Sequence, residues 1–250
     1  MTWNGTEYDF HGACDLVLLH NPNFAGGLGM ELHIRTKIDT WWSYIETAAL
    51  RVGEDTFEVM GGDGLKYWFN GNPGRTNLKN GKALGKKLAG EYKIRFRWLN
   101  NHQHQFKVDF GNGEAVTFKT FKEFVRVNVE SSTYGDFHES SGLMGSYPSG
   151  MLLARDNSTI MEDVNEFGKE WQVHSSEPKL FHNKDGPQHP ERCSMPTISE
   201  TASGRQRRLG ESMITREDAE VACAHVDQAN RNACVFDVLA TNDLDMVGTY

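Results

Sequence analysis

Four cysteines, Cys14, Cys193, Cys223 and Cys234, are the side chains of this sequence best suited to covalent chemistry. Their number is even, as disulfide pairing requires, and no two of them have the Cys-x-x-Cys spacing of a metal or redox pair. On the residues alone two readings stand: bridges formed in an oxidising compartment, or four buried thiols. His102-x-His104 would place two imidazoles on one face of a strand, either as part of a zinc site still needing a third ligand or as a polar hairpin end. Arg205-Gln206-Arg207-Arg208 has the Arg-x-Arg-Arg pattern cut by secretory proprotein convertases, with Arg205, Arg207 and Arg208 as the cations read; an exposed basic turn looks the same. Asn4-Gly5-Thr6 and Asn157-Ser158-Thr159 are sequons, which makes Asn4 and Asn157 candidate glycosylation sites. The sequence contains no Gly-x-Ser-x-Gly elbow, His-Glu-x-x-His pair or Walker loop. Paired carboxylates stay open, because such partners meet in space rather than in sequence.

The elements that must position these residues are mostly strands. Short runs rich in β-branched and aromatic residues, bounded by Gly, Asn and Asp, predict strands over 14–20, 30–38, 43–52, 56–60, 66–69, 91–98, 103–110, 115–118 and 123–129. In Tyr92-Lys93-Ile94-Arg95-Phe96-Arg97-Trp98 every second residue is apolar, the pattern of an antiparallel strand with one dry face. Gly26-Gly27-Leu28-Gly29 and Gly61-Gly62-Asp63-Gly64 read as hairpin glycines, since no helix pattern follows them to cradle a phosphate. Regular spacing without intervening helices favours an antiparallel β-sandwich or twisted multi-strand sheets over a parallel sheet. From 176 to 212 the chain is rich in Pro, Ser, His and charge and reads as an extended connector. Thr215 to Asp218 has the form of a capping box opening a helix, and a second helix is expected over 230–240. Cys223 and Cys234 would then fall one on each helix, where a bridge could pin them as a small α-helical hairpin. The expected organisation is a β domain over 1–175, the connector over 176–212 and a two-helix appendage over 213–250.

Composition bounds the class. At 250 residues, 38% hydrophobic and 24% charged, the chain is neither collagen-like, disordered nor a coiled coil. Its longest apolar runs, Leu16–Leu19 and Met151–Ala154, fall far short of the roughly 20 residues of a spanning helix, so no membrane insertion is expected. The first residues lack the basic start and apolar core of a secretory leader. Net charge is −8, yet Lys66 to Lys107 carries ten Lys and Arg against the single acid Glu91. A chain acidic overall argues against nucleic acid as a partner. Its basic stretch Arg75–Arg97, with Tyr92 and Phe96 interleaved and Trp98 adjoining, suits sulfated or carboxylated polysaccharide, or a merely solvated strand face.

Two distant stretches carry a family resemblance. The first is Thr2-Trp3-Asn4-Gly5 followed by Tyr8 to Leu18, including Gly12-Ala13-Cys14. The second is Gly142-Leu143-Met144-Gly145-Ser146-Tyr147, followed by Asn165 to Val173 with Phe167-Gly168-Lys169-Glu170-Trp171-Gln172-Val173. In this order they resemble the opening and closing motifs of a von Willebrand factor type D domain, with Met144 where that family usually has Cys and without its leading Gly-Asp-Pro-His. The absence reads as a chain cut inside the motif, which leaves a secreted origin open. The resemblance implies bridges Cys14–Cys193 and Cys223–Cys234, the latter in a reduced version of the helical cysteine-rich module that often follows such domains. It also implies a calcium site built from Asn4, Ser146, Asp156, Asn157 and Asp163, although this loop is poor in the carboxylates that calcium favours. The activity it implies is non-catalytic: an extracellular or cell-surface adhesion and assembly module whose partners are other extracellular protein domains or matrix polysaccharide. A carbohydrate-active enzyme or lectin is the alternative, suggested by six Trp and the adjacent Trp41-Trp42. Lipid handling is a third, without an amphipathic tract to support it.

Overall fold

The computed structural model describes residues 1–39, 41–100, 103–184, 193–196 and 213–250. The chain forms two compact units, Met1–Pro196 and Thr197–Tyr250. The first is built from two antiparallel sheets. One runs β1 (Asp15–Asn21), β2 (Met30–Asp39), β3 (Trp42–Val52), β4 (Asp55–Met60), β5 (Lys66–Phe69) and β6 (Asn72–Pro73) in that spatial order. The other, ordered β11-β10-β9-β8-β7, comprises β7 (Ala83–Leu88), β8 (Tyr92–Asn100), β9 (Gln103–Gly111), β10 (Glu114–Phe121) and β11 (Phe124–Glu130). Each sheet is a meander in which sequence neighbours pair, so the expected mostly-β antiparallel architecture is present. The expected strands all appear with ends displaced by no more than three residues.

Alternation decides what lies between the sheets. Leu32, Leu50, Phe57 and Val59 from one sheet and Ile94, Phe96, Phe106, Val108 and Phe118 from the other are fully buried in one core. Phe57 bridges the layers, its ring centroid 5.2 Å from Phe106 and 5.9 Å from Phe118, both edge-on as aromatic quadrupoles favour. Two strands were not expected from the sequence. β6 is only two residues long and follows an Asn70-Gly71 turn with both residues at positive φ, the geometry of a tight hairpin. β7 is an edge strand rich in Gly and Lys, with an irregular register against β8, which is why its sequence shows no alternation.

Between the outermost β-strand of the second sheet and the closing segment lies α2 (Val164–Glu170), capped by Asp163, whose side chain accepts from the Asn165 and Glu166 amides. α1 (Phe24–Gly27) is a single turn whose Ala25 and Gly26 are left-handed. In the second unit, α3 (Arg216–Ala222) opens with the expected capping box: the Asp218 amide donates to Thr215 Oγ1 and the Thr215 amide to Asp218. α4 (Gln228–Thr241) is capped by Asp227 and stopped by left-handed Asn242. Ala219, Cys223, Cys234, Val235 and Val238 are buried. No helix among the described residues is long and apolar enough to cross a membrane.

Both cysteine pairings implied by the resemblance are present: Cys14–Cys193, 179 residues apart, and Cys223–Cys234, 11 apart. On the chain-entropy account the long bridge stabilises by up to about 5 kcal/mol and the short one by roughly 2 to 3. Replacing Cys14 and Cys193 together by Ala is expected to lower the melting temperature of the first unit by several degrees, up to about 20 °C. The Cys223→Ala/Cys234→Ala variant should leave that transition in place; differential scanning calorimetry of the full chain reads both.

Candidate functional site

The two motif stretches meet at the outer edge of β1. Leu143 and Met144 donate their amides to the Val17 and Leu18 carbonyls, and Val17 in turn donates to the Trp171 carbonyl. Leu16 bridges to Gln172, Ala13 to Ser194, and the Val173 amide donates to the Asp15 carbonyl. The approach is close enough to demand glycine. At Gly142, φ is +132° and an added Cβ would lie 2.6 Å from the Leu18 carbonyl; at Gly168 it would lie 2.3 Å from the Phe10 ring. Trp3 caps the junction, its amide donating to the Met144 carbonyl and its indole N–H to that of Gly145, while its ring meets Tyr147 edge-on at 5.0 Å.

On the outer face of the same sheet lies a layer of buried charge. Strand alternation turns Glu31, His33 and Arg35 of β2 away from the core, opposite Arg51, Ala49 and Thr47 of β3. Arg35 grips Asp15 in a bidentate pair at 2.7 and 2.9 Å, donates to the Asn183 carbonyl, and stacks its guanidinium 4.4 Å from the Phe181 ring. Glu58 accepts from the His182 amide at 2.7 Å and lies 2.8 Å from its Nδ1, while the His182 ring stacks on Trp68 at 3.8 Å. Arg155 ties the Glu170 and Gln172 carbonyls to the Glu177 carboxylate. The segment from Gln172 to Asn183 is thus a strap laid across the sheet, its Leu180 and Phe181 buried against Ala49 of β3.

A cavity of about 190 Å³ opens in this layer, lined among others by His20, Glu31, His33, Ser141, Arg155 and Glu177. Burial opposes the charge of Glu31, but the His20 hydrogen bond and the Arg51 guanidinium overcome it and bring its pKa to about 2. Burial holds His33 down at about 4, so it is neutral near pH 7; its Nδ1 has no hydrogen-bond partner among the described residues. Glu58 is raised, burial outweighing its bonds to His182. Each carboxylate here pairs with a cation or an imidazole, and the pairs of Glu58 and Glu177 fix the strap to the sheet.

The residues expected around calcium are each engaged locally. Asn4 Oδ1 accepts from Thr2 Oγ1 and the Thr6 amide and abuts Gly150. Ser146 gives its carbonyl to the Gly150 amide and the Ser149 hydroxyl inside one turn. Asp156 takes the Thr159 amide and hydroxyl and the Ser158 amide, bonds that hold its carboxyl well below the usual range. Asn157 follows in the left-handed region, and Asp163 caps α2. With its carboxylates consumed by backbone amides, this set does not fit a cage of six to eight oxygens. No group of three or more His, Cys, Asp or Glu among the described residues is arranged to hold a metal. Asn4 and Asn157 are both exposed. Arg205, Arg207, Arg208 and His102 lie outside the described residues; His104 is buried, 3.1 Å from Thr120 Oγ1.

Along β8 the alternation read in the sequence is present: Tyr92 and Phe96 point into the core and Trp98 follows on their side at its rim, whereas Lys93, Arg95 and Arg97 are exposed on the other. The buried ionic layer was not foreseen, although Glu31, His33 and Arg35 at alternate positions were its signal.

Because the folded pKa of His33 lies below its ordinary 6.5, the unfolded chain binds the proton first on acidification. Stability held above about pH 6.5 is therefore expected to fall as pH drops toward 4, and that of Glu31 from about 4.5 toward 2. Urea unfolding followed between pH 4 and 7 should show a flatter pH dependence for His33→Leu than for the parent. The chain matches no protein-family model and no curated protein.

Proposed function

We propose that this chain is a non-catalytic extracellular module of the von Willebrand factor type D kind, working in adhesion or assembly. The carrying observation is the junction at β1. Two stretches more than a hundred residues apart, each resembling a motif of that family, interlock there by backbone hydrogen bonds. The bridge between Cys14 and Cys193 ties the first of them to the chain beyond the second. Two disulfides and exposed sequons support a chain made for an oxidising compartment. The ionic layer supports a scaffolding role, since its carboxylates are tied down rather than poised. What such a module offers a partner is surface, not a reaction.

Expression through a secretory host is expected to yield protein whose intact mass shows no alkylated thiol without reductant and a glycosidase-sensitive increment. Incubation with neutral, sulfated and carboxylated polysaccharides should release no reducing ends. Turnover of any of these polymers, or a chain that folds only with four free thiols, would overturn the reading in favour of a carbohydrate-active enzyme or an intracellular protein.

A further inference from the structure

We infer that the outer side of the β7–β8 hairpin binds a linear sulfated or carboxylated polysaccharide through Lys87, Lys93, Arg95 and Arg97. The inference rests on the module reading above and names its partner. Along β8 the pattern is strict: Tyr92, Ile94 and Phe96 are buried while Lys93, Arg95 and Arg97 are exposed. Strand geometry therefore sets three cations in a row about 7 Å apart, with neighbouring strands about 5 Å to either side. Lys87 of β7 stands directly opposite Lys93, and Arg95 directly opposite Lys107 of β9.

Like charges placed opposite one another destabilise a sheet. Lys107 is relieved by Glu130 at 2.7 Å, but among the described residues no carboxylate pairs with Lys87, Lys93, Arg95 or Arg97. The single acid between Lys66 and Lys107, Glu91, sits exposed in the hairpin turn. Lysines on an edge strand have a simple structural use, to block pairing with another sheet. That accounts for Lys87 on β7. It does not account for β8, which is hydrogen-bonded on both sides and has no edge to protect. A row that costs repulsion and guards nothing is best explained by an anionic partner.

The face also says which polyanion. Nucleic-acid strands held without sequence readout are gripped by aromatic platforms on which bases stack. Here the aromatics are turned to the other side of the sheet, leaving a grid of charge alone. A polymer recognised only through regularly spaced anionic groups fits it, and in an oxidising extracellular setting that polymer is a glycan.

The test measures binding of the full chain to immobilised heparin, hyaluronan and poly(dT) over a salt series. Heparin binding is expected, with log Kd rising against log salt at a slope of about 3, from four cations at roughly 0.7 each. Hyaluronan binding alongside it would assign carboxylate, and heparin alone sulfate. The Lys93→Ala/Arg95→Ala/Arg97→Ala variant should bind at least tenfold more weakly, with its slope falling below about 1. Its melting temperature should hold or rise, because repulsion is removed; Lys37→Ala, away from this hairpin, should bind as the parent does. Failure to bind either glycan, tighter binding of poly(dT), or a triple variant within twofold of the parent would overturn the inference. A chain that is secreted, bridged and inert toward polysaccharides yet ignores heparin loses this surface and keeps the module reading. One that binds heparin and also cleaves it keeps the surface and loses the module.

Discussion

Everything in the first unit depends on closing the outer edge of β1. An edge strand presents backbone N–H and C=O groups that must find partners if they are to be buried, and an open hydrophobic edge invites pairing with other chains. β1 is among the most buried strands of the molecule, so water cannot satisfy it. Its partners come instead from Leu143, Met144 and Trp171 to Val173, over a hundred residues away. Such contacts carry a high closure cost, since the loop entropy must be met before they return anything. The meanders, made of neighbouring hairpins, require no such closure. The Cys14–Cys193 bridge acts at the point where the topology is weakest, holding the ends of that long loop together.

Once the edge is closed, the strap follows from charge. β2 places Glu31, His33 and Arg35 on the side away from the core, where Asp15 of β1 stands opposite Arg35 and Glu58 of β4 lies beyond Ala49 of β3. Left open, this face would be an ordinary wet sheet surface. Covered, every ion needs a partner, because a lone buried charge costs several kcal/mol. The strap supplies them: His182 for Glu58, the Asn183 carbonyl and Phe181 ring for Arg35, and Glu177 for the Arg155 that reaches across. Apolar packing of Leu180 and Phe181 provides the adhesion, and the ionic contacts fix the register at which it can form. His33 Nδ1, at the cavity wall, and Thr47 Oγ1, opposite Arg35, are both buried without a hydrogen-bond partner among the described residues and mark where the fit is incomplete.

The strands were legible in the sequence because alternation is a local signal, and so was the capping box at Thr215. Alternation reveals which residues share a face; it does not reveal whether that face is wet. Glu31, His33 and Arg35 therefore read as a solvent face until the strap, distant in sequence, is seen to cover them. The same limit works in reverse at β8. The alternation of Tyr92 to Trp98 separates aromatics from cations, but it does not say what meets the charged side. β7 was missed because Gly81, Gly85 and paired lysines leave no period to find. The cysteine pairing was legible only through the order of two motifs, since four cysteines allow three connectivities and spacing alone does not choose among them. As for Asp156 and Asp163, a carboxylate in a loop has the same sequence whether it meets an ion or the next backbone amide.

The two sheets treat charge in opposite ways, and the contrast is informative. On the six-stranded sheet the charged residues of the outer face are drawn into pairs and covered, so they are spent on the fold. On the five-stranded sheet Lys93, Arg95 and Arg97 of β8 are exposed and unpaired by carboxylates among the described residues, and Lys93 stands opposite Lys87, so the fold gains little from that row. A strand hydrogen-bonded on both sides holds such side chains at fixed intervals, and the partner meets a preorganised row rather than a set of mobile loops; less ordering entropy is then lost on binding. The net charge of −8 adds direction, since the basic stretch is the part of an otherwise acidic molecule that an anionic polymer approaches without repulsion. A sheet face of this kind discriminates by charge spacing and shape, not by hydrogen-bond readout. Its binding therefore weakens steeply with salt, and its strength is set by how many anionic groups one polymer can present in line along β8.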